Sequence, residues 1–103
     1  MGTYRQIQPR KKEVIMPTRN EVYDAIDSER DYQDTLSPTS ETGGVHTTAE
    51  WALYIGSYAN DLQQLLSHTW GPTATELGLH LVRKITAMGV ACMEQNGAPR
   101  REI

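Results

Sequence analysis

The sequence predicts an all-α protein, a small helical bundle of three main helices behind an extended N-terminal arm. Three Thr residues are each followed by Glu three positions later, which is the pattern of a capping box at a helix start. Apolar residues after each pattern recur every three or four positions, the spacing of one helix face. No stretch has the alternation that is typical of a strand. We expect helices over about 18–35, 47–68 and 73–96, with 1–17 as the arm and 18–103 as one domain.

Length, composition and charge limit what the chain can bury and bind. Its 103 residues are enough for one domain. Only 38% of them are hydrophobic and Phe is absent, so one chain has a modest core, and we expect a homo-oligomer of about two to six copies. A net charge of −3 argues against general nucleic-acid binding, because no large positive field gathers phosphates.

Cysteine usage and hydropathy indicate a cytoplasmic protein that has no membrane partner. Cys92 is the only cysteine, so an intrachain disulfide is excluded. The first twelve residues are polar and basic, without the apolar segment of a signal peptide. No run approaches the ~18 apolar residues of a membrane-spanning helix.

The first predicted helix opens with the capping box formed by Thr18 and Glu21. It ends before Pro38, because the residue preceding a proline disfavours helical backbone. Carboxylates three or four positions apart share one side of this helix. Such a group is either a divalent cation site, a partner surface or a solvated face. The carboxylates with this spacing are Asp24, Asp27 and Asp31.

A loop rich in Ser, Thr and Gly separates the first helix from the second. The capping box of Thr47 and Glu50 opens the second helix. In its middle, Gly56 costs about 1 kcal/mol relative to Ala, so we expect close approach of another backbone or a ligand there. The core stripe of this amphipathic helix consists of Trp51, Ile55, Tyr58, Leu62 and Leu65, flanked by Tyr54 and Leu66.

The third predicted helix is the element on which the others are expected to pack. Thr73 and Glu76 give it a capping box, and Gly97 is suited to the position after its end. Two apolar rows run along it, which predicts burial on more than one side. The first row consists of Leu77, Leu81, Ile85, Met88 and Cys92. The second row consists of Leu79, Val82, Val90 and Met93.

A cationic patch lies in the middle of this helix, where His80, Arg83 and Lys84 are three and four positions apart. In one interpretation Glu76 pairs with His80, and the two cations form salt bridges with the acidic first helix. In the other, Arg83 offers a fork and Lys84 a point charge to a ligand phosphate or carboxylate. The rings that either stack on a nucleotide base or belong to the core are Trp51, Tyr54 and Tyr58.

Four segments carry a resemblance to a known group. They are Ser28–Gln33, Glu50–Tyr58, Arg83–Val90 and Met93–Arg100, and the last contains the distinctive pattern Met-Glu-x-x-Gly-Ala-Pro-Arg. Over about residues 19–101 the chain resembles small phage-encoded proteins that are similar to the all-α MazG-like nucleotide pyrophosphohydrolases. The resemblance implies an oligomeric helical bundle with a nucleotide-sized cleft.

The sequence departs from the catalytic members of that group, in which paired carboxylates on two helices bind magnesium. Leu53 stands three positions after Glu50, and His80 and Lys84 follow Glu76, so these pairs are incomplete. The resemblance then implies a non-catalytic binder of a nucleotide-like ligand, one that sequesters a host immune signalling nucleotide in the host cytoplasm and needs no cofactor.

Two other functions stay open. One is a magnesium-dependent nucleoside triphosphate pyrophosphohydrolase with a diverged metal site, and the other is a protein-interaction inhibitor that uses the acidic first helix. The expected ligand-binding residues are Trp51, Tyr54, Tyr58, His80, Arg83, Lys84 and Arg100. The expected magnesium ligands of the hydrolase alternative are Glu29, Glu50 and Asp61.

Overall fold

The computed structural model describes residues 15–102, and what we predicted for residues 1–14 of the arm lies outside the described residues. Three helices follow one another: α1 is Arg19–Asp34, α2 is Thr48–His68 and α3 is Pro72–Asn96. Between residues 15 and 102 there is no strand. The predicted all-α class and the order of its three helices are confirmed.

Capping boxes start α1 and α2 as predicted. The Thr18 hydroxyl accepts a hydrogen bond from the Glu21 backbone at 3.1 Å, and the Glu21 carboxylate accepts one from the Thr18 backbone at 2.8 Å. Thr47 and Glu50 repeat this arrangement at 3.1 and 2.8 Å. Each box satisfies two backbone N–H groups that have no partner inside the helix, so both helix starts are fixed by four-residue patterns.

The capping box predicted at Thr73 and Glu76 is wrong. The helix begins at Pro72, with Gly71 as its N-cap at φ 95° and no side-chain cap. Proline is favoured at the first helical position, and glycine adopts the positive φ that this entry requires, so the helix starts before Thr73. At the other end Gly97, at φ 125°, follows Asn96 as predicted.

The helix α2 folds back on α3 as an antiparallel hairpin through residues 69–71. Near the start of α2, the ring N–H of the fully buried Trp51 donates to the Gln95 side chain at 2.7 Å. Near its end, Leu66 packs on Gly78, where a Cβ would lie 3.3 Å from the Leu66 side chain. The absence of a side chain at Gly78 therefore brings the two helices close together.

The helix α1 packs on another side of α3, and none of its Cα atoms lies within 8 Å of a Cα atom of α2. Two ion pairs join it to α3, one from Glu29 to Arg83 and one from Arg30 to Glu94. The start of α1, at Val22, lies beside Leu79, and its end, at Asp34, lies beside Gln95, so α1 and α3 run in the same direction. The prediction that the other helices pack around the third one is confirmed.

Burial within the chain is limited. The buried apolar side chains in the described part of the chain are Trp51, Ala74, Ala87, Met88 and Ala91. The predicted burial of α3 on more than one side is confirmed, since α1 and α2 pack on two sides of it. The second apolar row is only partly covered: Val90 is half-buried, whereas Leu79 is 62% exposed and Met93 45%. Gly56 is exposed on α2, with no atom of the described chain within 4 Å of a Cβ there, so the close approach expected at this glycine is not made by another helix of the same chain.

Among the described residues, no helix combines the length and the apolar character that are needed to cross a bilayer.

Candidate functional site

The cationic patch of α3 forms one wall of an open cleft of about 440 Å³ that is lined by residues of all three helices. Its polar lining comes from His80, Arg83 and Lys84 on α3 and from Glu29 on α1. Its apolar lining comes from Leu65 on α2 and from Leu77 and Leu81 on α3. We refer to this site as the cationic cleft.

Arg83 is held in place by a carboxylate of α1. Its Nε donates to Glu29 Oε1 at 2.8 Å, and the Glu29 side chain is only 10% exposed whereas that of Arg83 is 34% exposed. Burial of a carboxylate is costly unless it is paired and hydrogen-bonded, and Arg83 supplies both to Glu29. In return, the Glu29 carboxylate neutralises and orients the guanidinium. The predicted salt bridge to the first helix is thus present for Arg83.

His80 contacts the Arg83 guanidinium and not the carboxylate of Glu76. Its Nδ1 lies 2.7 Å from Arg83 Nη1. Because a guanidinium can only donate, Nδ1 acts as the acceptor, and the ring carries its proton on Nε2. The ring therefore retains Nε2–H as a hydrogen-bond donor, and the pairing of His80 with Glu76 that we expected is replaced by a contact with Arg83.

Lys84 has no carboxylate partner among residues 15–102. Its Nζ lies 4.1 Å from the centre of the Tyr58 ring, a cation–π contact that leaves the ammonium hydrogens able to donate. The Tyr58 hydroxyl donates to Glu41 at 3.1 Å, which fixes the ring from the loop side. Two positive side chains and one negative one line the cationic cleft, so its net charge is positive.

The other predicted ligand residues lie elsewhere. Trp51 is fully buried, and its ring packs edge-on against His46 at 4.9 Å between centroids. Tyr54 contacts the same histidine at 5.0 Å, at the end of the hairpin opposite the cationic cleft. Arg100 is exposed in the segment after α3. The structure thus brings His80, Arg83 and Lys84 together, with Tyr58 beside them, but not Trp51, Tyr54 or Arg100.

The carboxylates of the hydrolase alternative are not brought together either. Glu29 binds Arg83, and Asp61 is exposed on α2. Glu50 belongs to the capping box, where the backbone hydrogen bond from Thr47 lowers the pKa of its carboxyl. Within residues 15–102 no three His, Cys, Asp or Glu side chains converge in a metal-binding arrangement, and this includes the aspartates of α1.

No known relative adds to this description. Protein-family models, curated proteins and solved structures contain no match to this chain. The resemblance to the MazG-like group therefore stays a prediction.

Two roles were not predicted from the sequence, one in the cationic cleft and one at the opposite end of the hairpin. Glu29, an expected magnesium ligand of the hydrolase alternative, is the buried partner of Arg83. The side chain of Gln95 was not considered at all, although it accepts from Trp51 at 2.7 Å and from the His46 backbone at 2.9 Å, and donates to Gly44 at 3.1 Å. A glutamine four positions from the buried Ala91 on a mostly apolar helix is the signal that could have indicated this role.

Proposed function

We propose that this chain binds a phosphorylated, nucleotide-like small molecule in the cationic cleft and holds it without cleaving it. One observation carries the proposal: three donors, His80, Arg83 and Lys84, line a single open cleft beside an apolar wall. The volume, about 440 Å³, lies within the range of small-molecule sites, roughly 300–1,000 Å³.

Each part of such a ligand has a matching group. Lys84 supplies a positive charge without a carboxylate partner in the described chain, and Arg83 retains Nη2, which none of its observed hydrogen bonds uses. His80 adds its Nε2–H. Phosphate oxygens favour charge-assisted donors of this kind. The apolar part of the ligand would lie on Leu65 and Leu81.

The charges around the cleft support binding more than hydrolysis. Magnesium-dependent phosphoryl chemistry requires carboxylates that converge on the metal. The carboxylate that lines the cleft, Glu29, is engaged by Arg83. A protein of this kind acts by lowering the free concentration of its ligand, which fits the sequestration of a signalling nucleotide in the cytoplasm of a phage host.

The test is retention of intact nucleotide by the pure protein. The chain is incubated with nucleoside triphosphates and signalling nucleotides, with and without magnesium or manganese, and then filtered. Depletion of one compound that returns unchanged after heat denaturation supports the proposal. Formation of a monophosphate refutes it in favour of the pyrophosphohydrolase, and no depletion refutes it in favour of a protein partner of the acidic α1.

A matched pair of variants links retention to the cleft. Lys84→Ala removes the cleft cation that has no carboxylate partner, so retention should fall about 10- to 100-fold. Arg19→Ala removes an exposed cation in the first turn of α1 and should leave retention unchanged. Equal effects of the two variants would mean that the ligand responds only to overall charge.

A further inference from the structure

One side of α3, which borders the groove between α1 and α3, carries no charged residue from Thr75 to Met93. We call it the uncharged face. It consists of Thr75, Leu79, Val82, Thr86, Gly89, Val90 and Met93, which recur at helical spacing. Leu79 is 62% exposed, Val82 42% and Met93 45%, so large apolar side chains meet solvent along four turns of helix. Contiguous apolar surface of this kind marks an interaction site.

The polar atoms on this face need no external partner. The Thr86 hydroxyl donates to the Val82 carbonyl at 2.7 Å, and the Thr75 hydroxyl donates to the Gly71 carbonyl at 3.2 Å. A surface that covered them would therefore leave no hydroxyl donor without an acceptor. No atom lies within 4 Å of a Cβ built at Gly89, so another helix has room to approach there.

The spacing of the face is symmetric about Thr86. Leu79, Val82, Thr86, Val90 and Met93 are separated by three, four, four and three positions. We infer that two copies of the chain pair through this face, with their α3 helices antiparallel and the two-fold axis at Thr86. In that arrangement Leu79 packs against Met93 of the partner subunit, and Val82 packs against Val90 of the partner subunit.

A second copy fits this face better than an unrelated protein, because the pattern is complementary to itself, as a two-fold interface requires. In the same register Glu76 falls opposite Asn96, the last residue of α3 in the second copy, and the segment that follows carries Arg100 and Arg101, so opposite charges come near each other at both ends of the contact. A groove of about 280 Å³ between α1 and α3 opens onto the face. Leu79, Val82 and Thr86 line it on the α3 side, and Val22 and Ile26 line it on the α1 side and extend the apolar surface. This inference does not depend on the ligand proposed above.

The register is tested by two single variants and their mixture. Leu79→Glu and Met93→Lys each place an unpaired charge against an apolar side chain of the second copy. Each variant should therefore have the mass of one chain by light scattering, whereas the natural chain should have twice that mass. Mixed in equal amounts, the two variants should return to the doubled mass, because Glu at 79 then faces Lys at 93 on the other copy. Circular dichroism checks that each variant keeps its helices.

Three results would overturn the inference. They are a natural chain of single mass at its highest soluble concentration, a single variant that keeps the doubled mass, and a mixture that stays at single mass. A second measurement fixes the axis. In a Cys92→Ser background, Thr86→Cys should form an interchain disulfide on mild oxidation, whereas Ser57→Cys, exposed on α2, should not. The absence of the first crosslink would exclude Thr86 from the axis.

Discussion

Removal of Arg83 should destabilise the fold because it leaves a buried carboxylate without its partner. Glu29 is 10% exposed and bonded to Arg83 at 2.8 Å. A hydrogen bond between charged groups contributes about 1.5–3 kcal/mol, and the loss of one partner of a buried pair adds an uncompensated charge. Arg83→Ala should therefore lower the free energy of unfolding by about 2–3 kcal/mol. In a domain of this size that corresponds to a fall in Tm of about 8–24 °C.

A double-mutant cycle isolates the pair. Urea unfolding at neutral pH is measured for Arg83→Ala, Glu29→Ala and the double variant. Solvent screens the partly exposed guanidinium, so the coupling energy should be about 1–2 kcal/mol, at the lower end of the range for charged pairs. Lys84→Ala is the matched control, because it removes only a cation–π contact of about 0.5–1 kcal/mol. A coupling energy of zero, or equal losses for Arg83→Ala and Lys84→Ala, would refute the reasoning.

Three further perturbations test other contacts. The hydrogen bond from the Thr47 backbone lowers the pKa of the Glu50 carboxyl. The ionised carboxylate therefore stabilises the fold above pH 4.5, the ordinary pKa, and this stabilisation is lost as the pH falls through the lowered pKa. The urea midpoints of Glu50→Gln and the natural chain should converge in acid. Gln95→Ala leaves the ring N–H of Trp51 buried without an acceptor, so unfolding should become easier by about 2 kcal/mol, with a red shift of tryptophan emission. Gly56→Ala should raise stability by about 0.5–1 kcal/mol in urea unfolding, because nothing occupies the space of the added methyl group.

Each of these has a control and a contradicting result. Glu76→Gln removes a carboxylate that makes no cap, so its effect should not depend on acid pH as that of Glu50→Gln does; parallel behaviour contradicts the capping argument. Gln63→Ala removes an exposed side chain of α2 and should not change the free energy of unfolding. If Gln95→Ala has no larger effect than Gln63→Ala, the hydrogen bonds of Gln95 contribute nothing. For Gly56→Ala, any loss of stability would contradict the free space described there.

The helix starts could be predicted where a local pattern decides them. Thr18 and Thr47 cap their helices within four residues, and no other part of the chain is needed. The same pattern failed at Thr73, because Pro72 has a ring-fixed φ suited to the first helical position and Gly71 adopts the positive φ of the N-cap before it. Nearest-neighbour chemistry thus decided two starts, and competition between two local signals decided the third.

The candidate site could be predicted only along one helix. His80, Arg83 and Lys84 fall together because of the helical repeat, which the sequence contains. That Glu29 would supply the carboxylate to Arg83, and that Trp51 would be buried beside Gln95 rather than at the cleft, depends on how α1 and α2 dock on α3. Such contacts join residues more than forty positions apart, and no local pattern encodes their geometry.

The docking of α1 on α3 alone has a consequence for cooperativity. Because α1 packs on α3 and not on α2, it can detach as a unit while the hairpin of α2 and α3 stays folded, and its amide hydrogens would then exchange faster than those of the hairpin. Detachment withdraws Glu29 from Arg83, so the charge of the cleft changes with the position of a helix. An anion that competes with Glu29 for the guanidinium would weaken the attachment of α1 to α3. The attachment of α1 would weaken the binding of the anion by the same free energy.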